Sequence, residues 1–500
     1  MMFVLPTLEW WTIAPVVVLT LTGCLVLVVD LFRGDDASPE PLAWLTTGGL
    51  AIAIGTSVSL WGYESQAAFS GMVVADNYTQ YFTVLFLVIV GVTVLLSFDQ
   101  LTREDFHPGE FYSLIVFSAV GMVLMASAAD LIMVFVGLEL LSICLYILTG
   151  FSRRRLESEE ASIKYLLLGA FASGFLLYGI ALVYGSTGST NLGCVARAIS
   201  PSSTFAMFGC GTGSVAGAAT SALLLAGVAM LVVGLGFKAA VVPFHMWTPD
   251  VYEGAPTAIT AYMSVGAKAA AFAAIARVFM IAFPTLSHDW SVILAILAAV
   301  TMIVGNTAAV SQQSIKRMLA YSSIAHAGYI LVAVVAASRV GMASLLFYTV
   351  GYTVMNLGAF MVVILLGKRS EDHLLISDYA GLSRRHPVLA GLMALFMLSL
   401  AGIPPTVGFV GKFYIFTAAV QADYAWLAVI GLLSSVISVY YYLRVVYQMY
   451  MVDPVAGVEA VTPLRWVTVA AGVAGVAVIA LGVFPQGVLA LASASSTFIR

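Results

Sequence analysis

The sequence predicts an all-α polytopic membrane protein of about fourteen transmembrane helices, with two inverted five-helix repeats and breaks in helices 7 and 12. Three features lead there: a very apolar composition, very few charges, and apolar runs that repeatedly reach the length of one membrane span. Of 500 residues, 61% are hydrophobic and 9% are charged. A soluble protein carries about 25% charged residues. No single soluble core could hide this much apolar surface, whereas for a lipid-facing chain the bilayer is the solvent. The net charge of -4, without a long basic run, argues against nucleic acid as a partner.

Apolar runs between charge and turn clusters place the first spans near 12–32, 43–62, 79–98, 111–128 and 130–150. Further spans fall near 161–185, 221–245, 255–278, 291–310 and 318–337, and the last four near 341–367, 388–420, 424–449 and 464–487. The stretch Leu21-Thr22-Gly23-Cys24 looks like a lipoprotein cleavage site. No positive charge precedes it, so the first run reads as a retained span with Trp10 and Trp11 at the interface. The twelfth run is too long for one straight helix.

Lysine and arginine set the orientation. With the N-terminus outside, the inner loops hold Arg33, Arg103, Arg153, Arg154, Arg155, Lys316, Arg317, Lys368, Arg369, Arg384 and Arg385. The outer side holds little beyond Arg197, Arg339 and Arg500. Both termini are therefore expected on the outer, periplasmic side of a cell (inner) membrane. The outer loop near 186–220 contains Cys194 and Cys210, either a disulfide in an oxidising compartment or two separate thiols. No CxxC pair, His/Cys cluster, P-loop or dinucleotide fingerprint occurs, so neither metal nor cofactor is expected in this chain.

Chemistry is expected where charge lies deep in apolar runs: Glu139 in the fifth span, Lys238 in the seventh, Lys268 in the eighth and Lys412 in the twelfth. One such charge facing lipid at mid-helix costs about 2.5–3.5 kcal/mol, so these groups must face the protein interior. A static ion pair is one reading for Glu139 with a single lysine. One acid cannot neutralise three distant lysines, which favours a proton path. Burial lowers a lysine pKa and a nearby carboxylate raises it, so changing the Glu139–Lys238 proximity would load or unload the lysine. His326 in the tenth span suits a relay, or a neutral hydrogen bond between helices. Lys164, opening the sixth span, either tunes Glu139 or anchors the interface.

Proline marks two breaks near these lysines: Pro243 follows Lys238, and Pro404-Pro405 precede Lys412. Proline removes a helical donor, and freed backbone groups at membrane depth are tolerated only inside protein or beside water. Broken helices in corresponding halves are a transporter signature. The expected organisation is 1–110 with helices 1–3, 111–278 as the first five-helix repeat, 279–449 as the second, and 450–500 with helix 14. An odd number of spans per repeat requires inversion.

Several runs are highly specific. They are Phe237-Lys238-Ala239-Ala240-Val241-Val242-Pro243-Phe244-His245-Met246-Trp247-Thr248-Pro249-Asp250-Val251-Tyr252-Glu253-Gly254-Ala255-Pro256-Thr257 and Ser314-Ile315-Lys316-Arg317-Met318-Leu319-Ala320-Tyr321-Ser322-Ser323. They resemble the antiporter-like membrane subunits of respiratory complex I, the NADH–quinone oxidoreductase, over essentially the whole chain. Leu166-Leu167-Leu168-Gly169-Ala170-Phe171-Ala172-Ser173-Gly174-Phe175-Leu176-Leu177-Tyr178-Gly179 and Tyr352-Thr353-Val354-Met355-Asn356-Leu357-Gly358-Ala359-Phe360 point to one branch.

The resemblance implies a fifth-helix glutamate paired with a seventh-helix lysine, matched by Glu139 and Lys238. It also implies an eighth-helix lysine, Lys268, and a twelfth-helix charge, Lys412. Lysine at that last position argues against the sister subunit carrying glutamate, and the length argues against the larger sister with a lateral helix. In such a complex, NADH, FMN, iron–sulfur clusters and quinone (ubiquinone or menaquinone) belong to other subunits. The partners would be other membrane-arm subunits and the lipid bilayer. Two alternatives are a subunit of a multi-subunit sodium/proton antiporter, and a structural membrane-arm subunit without its own proton path.

Overall fold

The computed structural model describes residues 9–34, 38–62, 66–104, 106–200, 221–367, 375–454 and 465–496. Its helices are α1 (Ala14–Leu31), α2 (Glu40–Ser59), α3 (Asn77–Glu104), α4 (Pro108–Ser127), α5 (Leu131–Thr149), α6 (Leu156–Thr187), α7 (Leu192–Ile199), α8 (Ala222–Ala239), α9 (Trp247–Gly254) and α10 (Thr257–Tyr262). They continue with α11 (Lys268–Ala282), α12 (Ser287–Val310), α13 (Ile315–Val335), α14 (Arg339–Leu366), α15 (Leu382–Arg385), α16 (Pro387–Ala401), α17 (Val407–Gln421), α18 (Ala425–Met451), α19 (Arg465–Val483) and α20 (Gln486–Ser495).

Among the described residues, 13 helices are long and apolar enough to cross a membrane. The predicted twelfth span is not among them, because it is two shorter apolar helices, α16 and α17. Counting that pair as one crossing recovers the fourteen predicted spans. Two three-residue strands, β1 (Gln66–Ala68) and β2 (Val73–Ala75), form an antiparallel hairpin before α3 that apolar-run reading could not see. Val73 bridges to Ala128 just after α4, and Asn191, which bridges to Asp130, donates its side-chain amide to the Gly71 carbonyl in the hairpin turn (2.8 Å), so the hairpin meets the segments that follow α4 and α6.

The helices pack as two closed sets of five. In the first, α4 lies on α5, α5 on α6, α6 on α8, α8 on α11, and α11 returns to α4. In the second, α12 lies on α13, α13 on α14, α14 on α16 and α17, α16 on α18, and α18 returns to α12. Close packing depends on small residues. A Cβ added at Gly121 would lie 2.7 Å from the Gly137 oxygen, and one at Gly305 would lie 2.6 Å from the Ala325 nitrogen. The span formed by α10, a π-turn (Met263–Ala267) and α11 is wholly buried, and α13 nearly so. These two are the central pillars, while α1, α2 and α19 lie at the periphery with much exposed apolar surface.

Both predicted breaks are present. The seventh span was read as continuing to 245, but α8 stops at Ala239. Ala240 is left-handed (φ 60°) and Val242-Pro243 is cis. A residue before proline avoids helical geometry, and Pro243 has no N–H to donate. The twelfth span stops at Ala401, with Gly402 left-handed (φ 86°) and Pro404-Pro405 cis, and resumes at Val407. Here glycine suits the position, because a left-handed helix end disfavours any Cβ.

Candidate functional site

Lys238 sits in the last turn of α8, directly before the break, and is 3% exposed. A cation is favourable at a helix C-terminus. Its Nζ donates to Ser142 Oγ on α5 (2.9 Å) and to Tyr165 OH on α6 (3.1 Å). Glu139, one turn before Ser142, is half-buried and accepts a short hydrogen bond from Ser173 Oγ on α6. Lys238, Ser142, Tyr146 and Ser173 line one small cavity of about 10 Å³. That is room for about one water between the Ser173–Glu139 pair and the lysine. The acid and the base thus lie on neighbouring helices, Lys238 held by the hydroxyls of Ser142 and Tyr165, and Glu139 by that of Ser173, which lines this cavity with the lysine.

Other contacts satisfy the break itself. Val242 N–H donates to Thr301 Oγ1 on α12 (3.0 Å), and Trp247 Nε1 donates to the Phe237 carbonyl (3.0 Å). Freed backbone groups at this depth are therefore met from within the protein, as the bilayer requires.

Lys268 follows the π-turn at the start of α11 and is 2% exposed. Single π-turns inside helices often mark functional positions. Its Nζ donates to the carbonyl and to the Oγ of Ser323 on α13, each at 2.5 Å. His326, one turn along α13, bridges two helices. Its Nδ1 lies 2.7 Å from Tyr348 OH on α14, and its Nε2 lies 3.2 Å from Tyr442 OH on α18. Tyr442 OH in turn lies 2.5 Å from Ser322 Oγ, beside Ser323. Ser322, Tyr442, His326 and Tyr348 thus form one continuous hydrogen-bonded run. The Tyr348 ring packs against Gly411, where a Cβ would come within 2.6 Å.

Lys412, the next residue on α17, reaches back across the second break. Its Nζ donates to the carbonyls of Leu400 (3.0 Å) and Ala401 (2.9 Å), the last two of α16, and to Ser435 Oγ on α18 (2.8 Å). It also lies 4.9 Å from the centre of the Tyr329 ring. The ammonium therefore helps cap this helix end, together with Ser435 Oγ, which donates to the Ala401 carbonyl (3.1 Å). The two break lysines are placed differently: Lys238 ends the first half-helix, while Lys412 starts from the second half and caps the first.

Lys164 lies at the end of the bundle near α9. It pairs with Glu160 (2.7 Å) and Asp250 (2.9 Å) and is 43% exposed. Asp250 also binds Arg317 on α13 (3.0 Å). Burial pushes the Asp250 carboxyl up, but Lys164 and Arg317 outweigh it and hold the group below the usual carboxylate range. Beside it, Glu253 accepts from Ser314 Oγ, the N-cap of α13 (2.7 Å), and Lys316 donates to the Ala255 carbonyl (2.8 Å).

Sequence reasoning missed several groups. Tyr165, Ser142, Ser323, Tyr348 and Tyr442 carry no signal of their own in an apolar run. Arg277 could have been found: it is a charge nine residues beyond Lys268 in a helix that runs to Ala282. It is 1% exposed and forks onto Asp76, with Nη1 to Oδ2 at 2.9 Å and Nη2 to Oδ1 at 2.8 Å. Cys210 lies outside the described residues, and with it any pairing to Cys194.

The chain is similar to known proteins in sequence and in overall fold. The family model described as NADH:quinone oxidoreductase/Mrp antiporter, TM, matches residues 128–438, from the end of α4 to within α18. A protein of Trichlorobacter lovleyi named NADH-quinone oxidoreductase subunit N is 49% identical over 444 residues, covering 89% of this chain and 88% of its own. One of Chloroflexus aggregans with the same name is 44% identical over 492 residues, covering 98% of each. Among solved structures, a chain of respiratory complex I from Thermus thermophilus with bound Aureothin superposes with a TM-score of 0.78. Its identity is 36%, over 96% of this chain and 99% of that one.

Proposed function

We propose, from the premise that this chain belongs to the NADH:quinone oxidoreductase/Mrp antiporter membrane family, that it is a proton-translocating membrane-arm subunit of an NADH–quinone oxidoreductase. Its partners are the other subunits of that membrane arm, and the enzyme is a translocase to which this chain supplies no redox chemistry of its own. NADH, FMN, iron–sulfur clusters and quinone are assigned to the other subunits.

One observation carries the proton path. Three buried ammonium groups and a buried imidazole lie on four helices, and their hydrogen-bond partners are hydroxyls and carbonyls. A lattice meant only to lock helices would pair each cation with a carboxylate, since a buried cation without one is costly. Groups held by neutral oxygens can instead lose a proton without leaving a buried counter-charge behind. In this reading Glu139 and Lys238 form the switch, Lys268 and His326 relay, and Lys412 is the terminal or lateral donor. Protons enter from the cytoplasm. Pro243, Pro404 and Pro405 supply the breaks that let the backbone bend around the lysines.

The two five-helix rings, with the same neighbour order and a break in the fourth member of each, support division into repeats at 111–278 and 279–449. The lysine and arginine bias of the loops supports both termini on the periplasmic side. The antiporter alternative draws on the same family, but the subunit N name of relatives over 40% identical favours the oxidoreductase. The test is proton pumping per NADH oxidised by the assembled complex in vesicles, for Lys238→Ala against the parent. The ratio should fall with assembly intact. Full assembly with an unchanged ratio would leave a structural subunit.

A further inference from the structure

Lys238 on α8 and Lys268 on α11 lie on neighbouring helices of the first set, yet no polar chain joins them among the contacts above. What lies between them is α9, the short helix that begins just after the Pro243 break and runs into the span bearing Lys268. Its first residue, Trp247, is 4% exposed. The indole stacks face to face on Tyr165, with centroids 4.5 Å apart and planes 12° apart. Tyr165 is the residue whose hydroxyl meets Lys238. The same indole donates to the Phe237 carbonyl, next to Lys238, and lies 5.5 Å from the Phe237 ring. Any change at Lys238 is thus felt by Trp247 through both Tyr165 and the end of α8.

The rest of α9 is fastened to the opposite side. Asp250 binds Arg317, Glu253 binds Ser314, and the Ala255 carbonyl accepts from Lys316, all three partners lying at the start of α13. That helix carries Ser323, the partner of Lys268, and His326. The Tyr252 carbonyl accepts from Thr260 Oγ1 (2.9 Å), which ties α9 to the next span. At Gly254 a Cβ would lie 2.3 Å from the Glu157 carbonyl, so α9 also rests directly on α6. A short helix fixed at both ends moves as a unit rather than bending.

We propose that Trp247 is a positioning residue that couples the proton load of Lys238 to the Lys268–Ser323 site, with α9 as the lever. The idea rests on the relay reading of the preceding subsection. The chemistry at the near end is specific. A charged lysine has only donors, so its Nζ donates to the Tyr165 oxygen. On losing its proton it gains a lone pair, and the Tyr165 O–H turns to donate to it. That reversal changes the length and angle of the contact. The ring stacked on Tyr165 follows, because the interior is close-packed and transmits small shifts. At the far end, a shift of α9 moves Asp250 and Glu253 against the start of α13, and with it the oxygens that hold Lys268.

The test uses the assembled complex in vesicles and reads protons moved per NADH oxidised, with NADH–quinone turnover as a separate measurement. Trp247→Leu removes the stack and the indole donor, whereas Trp247→Phe keeps an aromatic face. Trp247→Leu should lose the same share of pumping as Lys238→Ala, and the double variant should lose no more than either single one, because both act through one coupling. Trp247→Phe should restore most of the ratio. A merely structural tryptophan would lower assembly or turnover without changing the ratio.

An assembled Trp247→Leu complex with the parental ratio would overturn the proposal, and so would a double variant whose losses simply add. If Trp247→Leu does not assemble, Trp247→Phe combined with Tyr165→Leu takes its place, with the same two outcomes. An unchanged ratio in Lys238→Ala alone would instead sink the relay reading on which the lever depends.

Discussion

Removing one member of the Asp76–Arg277 pair should damage this protein far more than removing both. Asp76 stands just before α3 and Arg277 near the end of α11, and Arg277 is almost wholly buried. The guanidinium makes two bonds to the carboxylate, a third to Thr79 Oγ1 (3.0 Å), and lies 4.8 Å from the centre of the Tyr78 ring. Arg277→Met leaves a buried carboxylate without its counter-charge, and Asp76→Leu leaves a buried guanidinium. Either costs about 3–5 kcal/mol. At about 1.4 kcal/mol per factor of ten, the folded fraction shifts by roughly two to four powers of ten.

The double variant, Asp76→Leu with Arg277→Met, removes both charges and keeps the volume, so the pair itself becomes nearly neutral. It still loses the hydrogen bond from the Thr79 N–H to Asp76 Oδ1 (2.8 Å) at the start of α3, a cap worth about 1 kcal/mol. The expected order is parent, then double, then either single, with the double close to the parent. The assay is the amount of assembled complex in membranes and the temperature at which this subunit dissociates from the solubilised complex. Single variants as heat-resistant as the parent, or a double no better than the worse single, would refute the reasoning.

The same pair predicts an acid limit. Burial pushes the Asp76 carboxyl up, but the Arg277 charge and the bonds from Arg277 and Thr79 outweigh it and hold the group below its ordinary value. A depressed carboxylate contributes stability above its unfolded pKa of about 3.9 and loses it as pH falls through the folded value. Heat resistance should therefore drop below about pH 4 in the parent, and more shallowly in the double variant.

Lys412→Arg should keep the donors to Leu400 and Ala401 and so keep assembly, yet it should lose pumping because arginine does not release its proton. An arginine variant that pumps normally would remove Lys412 from the path. Lys412→Ala should also lose stability, since it strips the Leu400 carbonyl of the lysine, at about 1–3 kcal/mol for a buried carbonyl left unmet, while Ala401 keeps Ser435 Oγ. Gly408→Ala would set a Cβ 1.8 Å from the Ser399 carbonyl and force the second break apart, whereas Gly391→Ala meets nothing within 4 Å. Equal yields of these two glycine variants in membranes would contradict the close approach of the half-helices. Lys164→Ala should leave stability almost unchanged, because its ion pairs are open to solvent. Its pumping should stay near the parental ratio, and a collapse with assembly intact would mean that Lys164 does tune Glu139.

Much of this architecture was legible in the residues, for a physical reason. Lipid forces each crossing to satisfy its own backbone, so span length and apolarity mark helices directly. The same rule made Pro243 and Pro404-Pro405 readable as breaks, and made Glu139, Lys238, Lys268 and Lys412 stand out against apolar neighbours. Boundaries were less legible where a break ends the helix early. Nothing in the run to 245 announces that the left-handed turn falls at Ala240, three residues before the proline, or that Thr301 of another helix meets the Val242 amide there. The hairpin before α3 was invisible for a similar reason: its strands are too short to carry a pattern, and they meet the segments that follow α4 and α6 only in the fold.

The sequence by itself determined that the chain crosses a membrane about fourteen times, where it breaks, and which charges are too deep to be anchors. Those properties follow from the cost of polar groups in hydrocarbon, which acts residue by residue. Only the tertiary structure decided what meets those charges. It set Lys238 against Ser142 and Tyr165, Lys268 against Ser323, and Lys412 against the open end of α16. It also strung His326 between two tyrosines, and matched Arg277 to an aspartate 201 positions away. Hydroxyls and carbonyls are common in every helix, so their identity carries no information until packing brings them within about 3 Å. Hydrogen bonding acts only at that range, and range is a property of the fold.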